Sequence, residues 1–416
     1  MKIGFVSLGC SKNLVDTEMM IKFYEDKGYE VVSNPAEAEI IVVNTCGFIE
    51  AAKQEAIDTI LEMAEYKEYG ICENLIVTGC LVERYLDELK EELPEVDLFI
   101  PIRDYEKIFE ELDYSKRKIT TSNFAYLKIA EGCSNNCTYC AIPYIRGKYV
   151  SRPFEDIIDE AKELYGAGYR EIIVIAQDTT KYGIDLYGKS RLPELLEELS
   201  KINFTWIRFL YAYPETITDE LITVVKNCDN ICNYFDIPIQ HISDMVLRRM
   251  GRRSTSETIW NVVGKLRKEI PDVILRTSLI VGFPGETNED FEELKNFVQE
   301  VKFDRLGVFE YSKEDGTPAE KLDGHMDDEI KKERRNEIME IQQQISKKKN
   351  EDIIGKELEC KLDYQAEFGY IARSYRDVPG EDGVIFVETD KSHKAGDIIL
   401  VKVVNAEEYD LIAEEI

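Results

Sequence analysis

Three cysteines, Cys133, Cys137 and Cys140, stand in the run Glu-Gly-Cys-Ser-Asn-Asn-Cys-Thr-Tyr-Cys. This C-x3-C-x2-C spacing makes a tight loop carrying three thiolates. A structural zinc site closes with a fourth Cys or His at similar local spacing, and none follows Cys140 nearby. A disulfide pair belongs in a secreted chain. Iron–sulfur ligation is the remaining common use of such spacing. Three ligands on a four-iron cube leave one iron for a ligand that is not protein.

A second set of cysteines is dispersed. The apolar runs Ile3–Ser7, Ile40–Asn44 and Leu75–Thr78 read as buried parallel strands, each followed by a helical pattern. They lead directly into Cys10, Cys46 and Cys80, each beside a glycine. Open α/β sheets collect ligands at the carboxyl ends of their strands, and glycine lets a backbone approach a cluster closely. Buried free cysteines are common, but three at equivalent strand ends point to a second iron–sulfur site.

The elements that must position these thiols fall into three blocks. Residues 1–118 read as an α/β domain, with a charged helix and connector over Ile102–Thr121. Residues 119–350 repeat strand then helix about six times, with strands at Tyr126–Ala130, Glu171–Ala176, Trp206–Tyr211, Tyr234–Pro238, Ile274–Val281 and Arg305–Tyr311. That pattern predicts a partial (β/α)6 TIM-like barrel, and the Cys133 loop follows its first strand, on the face where such barrels place chemistry. A charged helix, Asp327–Asn350, closes this block as a linker with a solvated basic face. Residues 351–416 alternate in short segments between Gly, Asp and Pro turns, which predicts a small antiparallel β-barrel.

Composition narrows the partners. The 416 residues carry 82 acidic against 52 basic side chains, a net charge of −30. Residues 353–416 alone have seven Lys/Arg against fifteen Asp/Glu. Nucleic-acid binders present a basic face, so a basic protein fits better as partner than tRNA. No apolar run reaches the ~20 residues of a membrane span, and the opening residues lack a signal-peptide pattern, so a cytoplasmic protein without membrane association is expected. There is no G-x-x-x-x-G-K-[ST] loop, and three histidines are too few for a His-rich metal site. Cys72, Cys228, Cys232 and Cys360 read as core residues.

The motifs Gly9–Asp16 (Gly-Cys-Ser-Lys-Asn-Leu-Val-Asp), Asn44–Phe48, Gly79–Leu81, the Cys133 triad, Ile142–Gly147, Ser151–Pro153 and Gly282–Glu286 together resemble the radical SAM methylthiotransferase family along nearly the whole chain. In that family the last domain is a TRAM barrel. Two branches exist, one modifying a tRNA adenosine (MiaB-like), the other an aspartate of ribosomal protein twelve of the small subunit (RimO-like). The tRNA branch usually carries Gln-Met-Asn after its first cysteine and Pro-x-Gln-Ser-Gly-Ser on the fourth barrel strand. Here Ser11-Lys12-Asn13 and Asp236-Ile-Pro-Ile-Gln-His241 stand instead, so the chain resembles the RimO-like branch. A non-catalytic iron–sulfur binding module is the alternative outside enzymology.

The resemblance implies two [4Fe–4S] clusters and S-adenosylmethionine (SAM). Cys133, Cys137 and Cys140 would hold the cluster that binds and reduces SAM. Cys10, Cys46 and Cys80 would hold an auxiliary cluster where sulfur is bound and methylated. A radical made from a second SAM would then open the aspartate β-carbon to that sulfur. An external electron donor and a sulfur source are implied. Tyr139 would pack near adenine, with Ile280 in the adenine-side backbone motif. Gln177 and Asp178 would meet the SAM amino group, and Gln240 and Arg276 its carboxylate or ribose. Polar residues at strand ends also close barrel tops without binding anything.

Overall fold

The computed structural model describes residues 1–109 and 115–416. The expected connector over Ile102–Thr121 falls partly on 110–114, which lie outside the described residues. Its start forms a 3-10 turn, Ile102–Asp104, and a short helix, Tyr105–Ile108.

The N-terminal sheet has five parallel strands in the order Glu30–Val32, Lys2–Ser7, Ile40–Thr45, Asn74–Gly79, Leu98–Ile100. The two edge strands have three residues each and alternate too little to show in the sequence. The strand Ile40–Thr45 is buried at every position, as a run of Ile and Val covered on both faces requires. Helices Ser11–Asp26, Glu50–Glu68 and Cys80–Glu92 leave the carboxyl ends of the three long strands.

The middle block forms two three-stranded parallel sheets, Ala125–Lys128, Glu171–Ile175, Trp206–Phe209 and Tyr234–Asp236, Ile274–Val281, Arg305–Glu310. One parallel bridge, Ile207 to Ile231, joins them into a six-stranded open barrel. Side chains alternate along the strands. Ile172, Val174 and Leu275 pack outward with the helices, whereas Ile173, Ile175 and Ile274 pack inward. Val15, from the first helix of the N-terminal domain, belongs to that inward cluster. The barrel lumen is therefore filled partly by the neighbouring domain.

The helix Asp328–Glu351 departs from its expectation. Lys331 and Arg334 are buried rather than solvated. Arg334 pairs with Glu286 at 2.5 Å, and Glu286 accepts from the Phe283 amide at 3.1 Å. The helix thus clamps the Gly282–Glu286 turn; its remaining basic residues are largely exposed.

The last block is a closed five-stranded barrel, in the order Glu357–Ala366, Gly369–Arg373, Ile385–Glu388, Leu411–Glu415, Ile398–Ala406. The antiparallel expectation needs one correction. Ile385–Glu388 runs parallel to Leu411–Glu415, because an odd number of strands cannot alternate direction all the way round a closed ring. This barrel docks under the middle one. Glu171, fully buried, accepts from Arg208 at 2.9 Å, Arg373 at 3.1 Å and Lys361 at 3.2 Å. Cys72 and Cys360 lie in domain cores and Cys232 in the barrel lumen; Cys228 packs half-buried against the main core. Among the described residues no helix is long and apolar enough to cross a membrane.

Candidate active site

The Cys133 loop is pinched at its base. The two-residue strands Ala130–Glu131 and Val150–Ser151 pair antiparallel, and the Cys133 amide donates to the Gly147 carbonyl at 3.1 Å. Gly132 has φ +70°, and a Cβ there would lie 2.2 Å from the Lys148 carbonyl oxygen, so only glycine fits. Asn135, inside the loop, donates to Asp178 at 2.8 Å. The Thr138 amide donates to the Met250 carbonyl at 2.9 Å. Cys137 Sγ lies 4.0 Å from the Arg252 guanidinium and 4.0 Å from the Tyr213 hydroxyl.

Cys10, Cys46 and Cys80 stand at three neighbouring strand ends. A Cβ on Gly9 (φ +84°) would stand 2.7 Å from the Cys46 Cβ. Asn13 ties the three loops together, donating to the Leu8 carbonyl at 3.0 Å and the Thr45 carbonyl at 2.8 Å. Its Oδ1 lies 3.6 Å from Cys80 Sγ. Among the described residues no three His, Cys, Asp or Glu side chains are closed into a metal-ligating arrangement. The backbone gathers each triad without converging its thiols.

The chemistry of the donor set fits a cluster better than free thiol chemistry. Burial pushes the Cys80 thiol up to about 12 and raises Cys46, Cys133 and Cys140 as well. Such thiols are poor nucleophiles at neutral pH, and a bound cation is what deprotonates a buried thiol outright. The glycine cradles at Gly9 and Gly132 and the Arg252 guanidinium beside Cys137 suit an anionic cluster.

A buried ionic cluster locks the two triads to each other. Asp16, on the helix after Cys10, accepts from Lys128 at 2.7 Å and Arg146 at 2.8 Å. Arg146 also donates to Glu131 at 3.1 Å and to Asn13 at 2.6 Å. On the other side, Lys12 lies over the Tyr211 ring, 3.3 Å from its centroid. Tyr211 is two residues before Tyr213, the neighbour of Cys137. One short segment therefore meets the helix that follows Cys10 at Tyr211 and the second triad at Tyr213.

The expected SAM contacts divide. Tyr139, Ile280 and Phe283 share one apolar cluster, with Tyr139 and Phe283 edge to face at 6.3 Å. Gln240, in a left-handed conformation (φ +73°), brackets that wall by accepting from the Ile280 amide at 2.8 Å. Gln177, the residue before Asp178, is half-buried. Asp178 differs from its expectation. It is fully buried, and its carboxylate is occupied by Asn135 and by the Thr180 hydroxyl at 2.5 Å; it anchors the cysteine loop. Arg276 also differs. It lies near the start of its eight-residue strand, in register with Asp236 and Arg305. There it pairs with Asp236 at 3.3 Å and with Glu381 of the last domain, so it serves domain docking.

Sequence reasoning missed Lys12, Asp16, Lys128, Glu131, Arg146 and Arg252 as site residues. Lys12, Asp16 and Arg146 stood inside quoted motifs, and a first helical turn carrying Lys, Asn and Asp with i, i+3 and i+4 spacing was a readable signal. Arg252 has no local signal.

Family models match each block: the radical SAM superfamily over residues 127–298, the uncharacterized protein family UPF0004 over 2–101, and the TRAM domain over 354–416. A curated relative from Alkaliphilus oremlandii (strain OhILAs), named ribosomal protein uS12 methylthiotransferase RimO, is 54% identical over 433 residues, covering 100% of this chain and 99% of the relative. The chain belongs to the RimO family. A second RimO, from Clostridioides difficile (strain 630), is 52% identical over 437 residues, covering 100% of this chain and 98% of its own length. The RimO-family fold also resembles a radical S-adenosylmethionine methyltransferase, TsrM, from Kitasatospora setae, solved with cobalamin and a [4Fe–4S] cluster. That likeness has a TM-score of 0.56 at 13% identity, covering 76% of each chain. RimO membership makes this chain a radical SAM methylthiotransferase that uses an iron–sulfur cluster and SAM.

Proposed function

We propose that this chain adds a methylthio group to the β-carbon of an aspartate in ribosomal protein uS12, using two [4Fe–4S] clusters. Cys133, Cys137 and Cys140 hold the first, and Cys10, Cys46 and Cys80 the second. The observation that carries this reading is the Tyr211–Tyr213 segment, which meets Lys12 of the Cys10 loop on one side and Cys137 on the other. A substrate atom held there would lie between the Cys10 loop and the Cys133 loop.

When bound, cluster and SAM together supply a carbon radical, which can open an unactivated C–H bond that no side-chain base can deprotonate. The protein's own work is placement. Tyr139, Ile280 and Phe283 offer an apolar wall for adenine. The half-buried side chains of Gln177, and of Gln240 beside that wall, are available for polar contacts. Val15 and the Asp16 ion cluster close the lumen and exclude water. Electrons and sulfur come from outside the chain.

The substrate class follows from the RimO relatives' shared name and from charge. A chain of net −30 repels phosphate and attracts basic ribosomal protein. Mass spectrometry of ribosomal proteins and tRNA nucleosides, from cells with and without the gene, tests this. Loss of a methylthio group from uS12 with tRNA unchanged is the expected result; loss from a tRNA adenosine would overturn it.

A further inference from the structure

Among the described residues, the buried lysines Lys53, Lys128, Lys331 and Lys361 each pair with a carboxylate. Lys12 does not. It is only 4% exposed; its ammonium makes no ion pair among the described residues, and it is not one of the fully sealed unpartnered polar atoms, so its tip keeps a contact with solvent. Its ammonium lies against the Tyr211 ring. The nearby carboxylates are already engaged. Asp236 and Glu381 both pair with Arg276, Asp16 is held by Lys128 and Arg146, and the remaining acidic neighbour is the Cys10 thiol, which a bound cluster would engage. Burying an ammonium without its own counter-ion is costly, and a cation–π contact returns only part of that. The arrangement is that of a half-built ion pair, waiting for an anion.

Its position says which anion. Lys12 lies two residues after Cys10, above the ring of Tyr211, which is two residues from the neighbour of Cys137. We propose that Lys12 binds the side-chain carboxylate of the target aspartate and so holds its β-carbon between the two triads. This rests on the uS12 reading above. The carboxylate of aspartate is bonded directly to the β-carbon. An ammonium–carboxylate contact of about 2.8 Å therefore fixes the reacting atom within one bond of the anchored group. A cation at this position suits an acidic side chain and has no use for an adenine.

The test is equilibrium binding of two uS12 peptides, one with the target aspartate and one with asparagine in its place. Each is titrated by fluorescence anisotropy into cluster-loaded enzyme without reductant. Wild type is expected to prefer the aspartate peptide by about tenfold or more, since losing one partner of a buried charge pair costs at least that much. Lys12→Met should bring the ratio near unity without weakening the asparagine peptide, and Lys12→Arg should keep the preference. Iron and sulfide are assayed on each variant, and Lys12→Gln carries the same comparison if Lys12→Met loads poorly. A Lys12→Met ratio equal to wild type, or equal weakening of both peptides, overturns the proposal; the latter is what lost domain packing or lost counter-charge to a cluster would give. A parallel turnover assay separates the two readings. Wild type that modifies the aspartate peptide while the binding ratio ignores Lys12 sinks this inference alone. Wild type that never modifies it sinks both.

Discussion

The two cysteine triads are built in opposite ways. Cys133, Cys137 and Cys140 lie in one loop, and a two-residue ribbon, one glycine and the Asn135–Asp178 hydrogen bond hold it. Cys10, Cys46 and Cys80 come from three strand ends and meet only once a five-stranded sheet has formed. The first is a local device and the second a product of tertiary structure. The local triad should therefore survive damage to the N-terminal sheet. The dispersed triad should fail with any loss of strand register, because a one-residue slip turns every side chain to the other face.

The largest expected effects come from the thiols themselves. Cys137→Ala should reduce SAM cleavage to background. Cys46→Ala should leave cleavage measurable and remove methylthio transfer; chromatography of 5′-deoxyadenosine alongside peptide mass spectrometry checks both. Methylthio product from Cys46→Ala would undo the two-cluster assignment. The glycine cradles give a matched, somewhat smaller pair. Gly9→Ala drives a Cβ to 2.7 Å from Cys46, so iron should fall by about half with SAM cleavage retained. Gly132→Ala drives one to 2.2 Å from the Lys148 carbonyl oxygen and should do the reverse. Asp178→Ala frees Asn135 from its anchor and should slow SAM cleavage about 10–100-fold, the usual cost of losing a supporting contact around a metal site.

How much of this the sequence disclosed follows the same division. The local triad was legible because its spacing is its structure. The dispersed set was legible because the strands are strongly apolar and each ends at Gly-Cys or Cys-Gly. What stayed hidden depends on which domain packs where. Arg276 read as a strand-end ligand because periodicity does not say where a strand starts relative to its neighbours; register puts it beside Asp236 and Glu381 instead. Lys331 and Arg334 read as solvated because charge pattern alone does not disclose that the Gly282–Glu286 turn lies beneath them. Lys12 was visible only as a motif letter, since its meaning depends on a tyrosine from another domain.

The smallest expected effect on catalysis lies where the last domain docks on the start of the strand Glu171–Ile175. Burial alone would raise the Glu171 carboxyl, but Arg373, Arg208 and Lys361 hold it well below the usual carboxylate range. A depressed pKa means stability that is present above the unfolded value of about 4.3 and lost as pH falls toward the folded value. Wild type should lose stability on acidification below about pH 4.3. Glu171→Gln should start less stable, by about 3–5 kcal/mol through stranded cations, and show a shallower slope there by denaturant titration. Its SAM cleavage per folded molecule should match wild type; a fall as deep as that of Asp178→Ala would tie the last domain to the chemistry.

Electron paramagnetic resonance of the reduced enzyme probes the closeness of the triads most directly. Spectra are recorded for wild type, Cys46→Ala and Cys137→Ala. If Tyr211 and Tyr213 hold the two sites together, the wild-type spectrum shows spin coupling that neither variant has. A wild-type spectrum equal to the sum of the two variants' spectra would place the sites too far apart to share one substrate carbon.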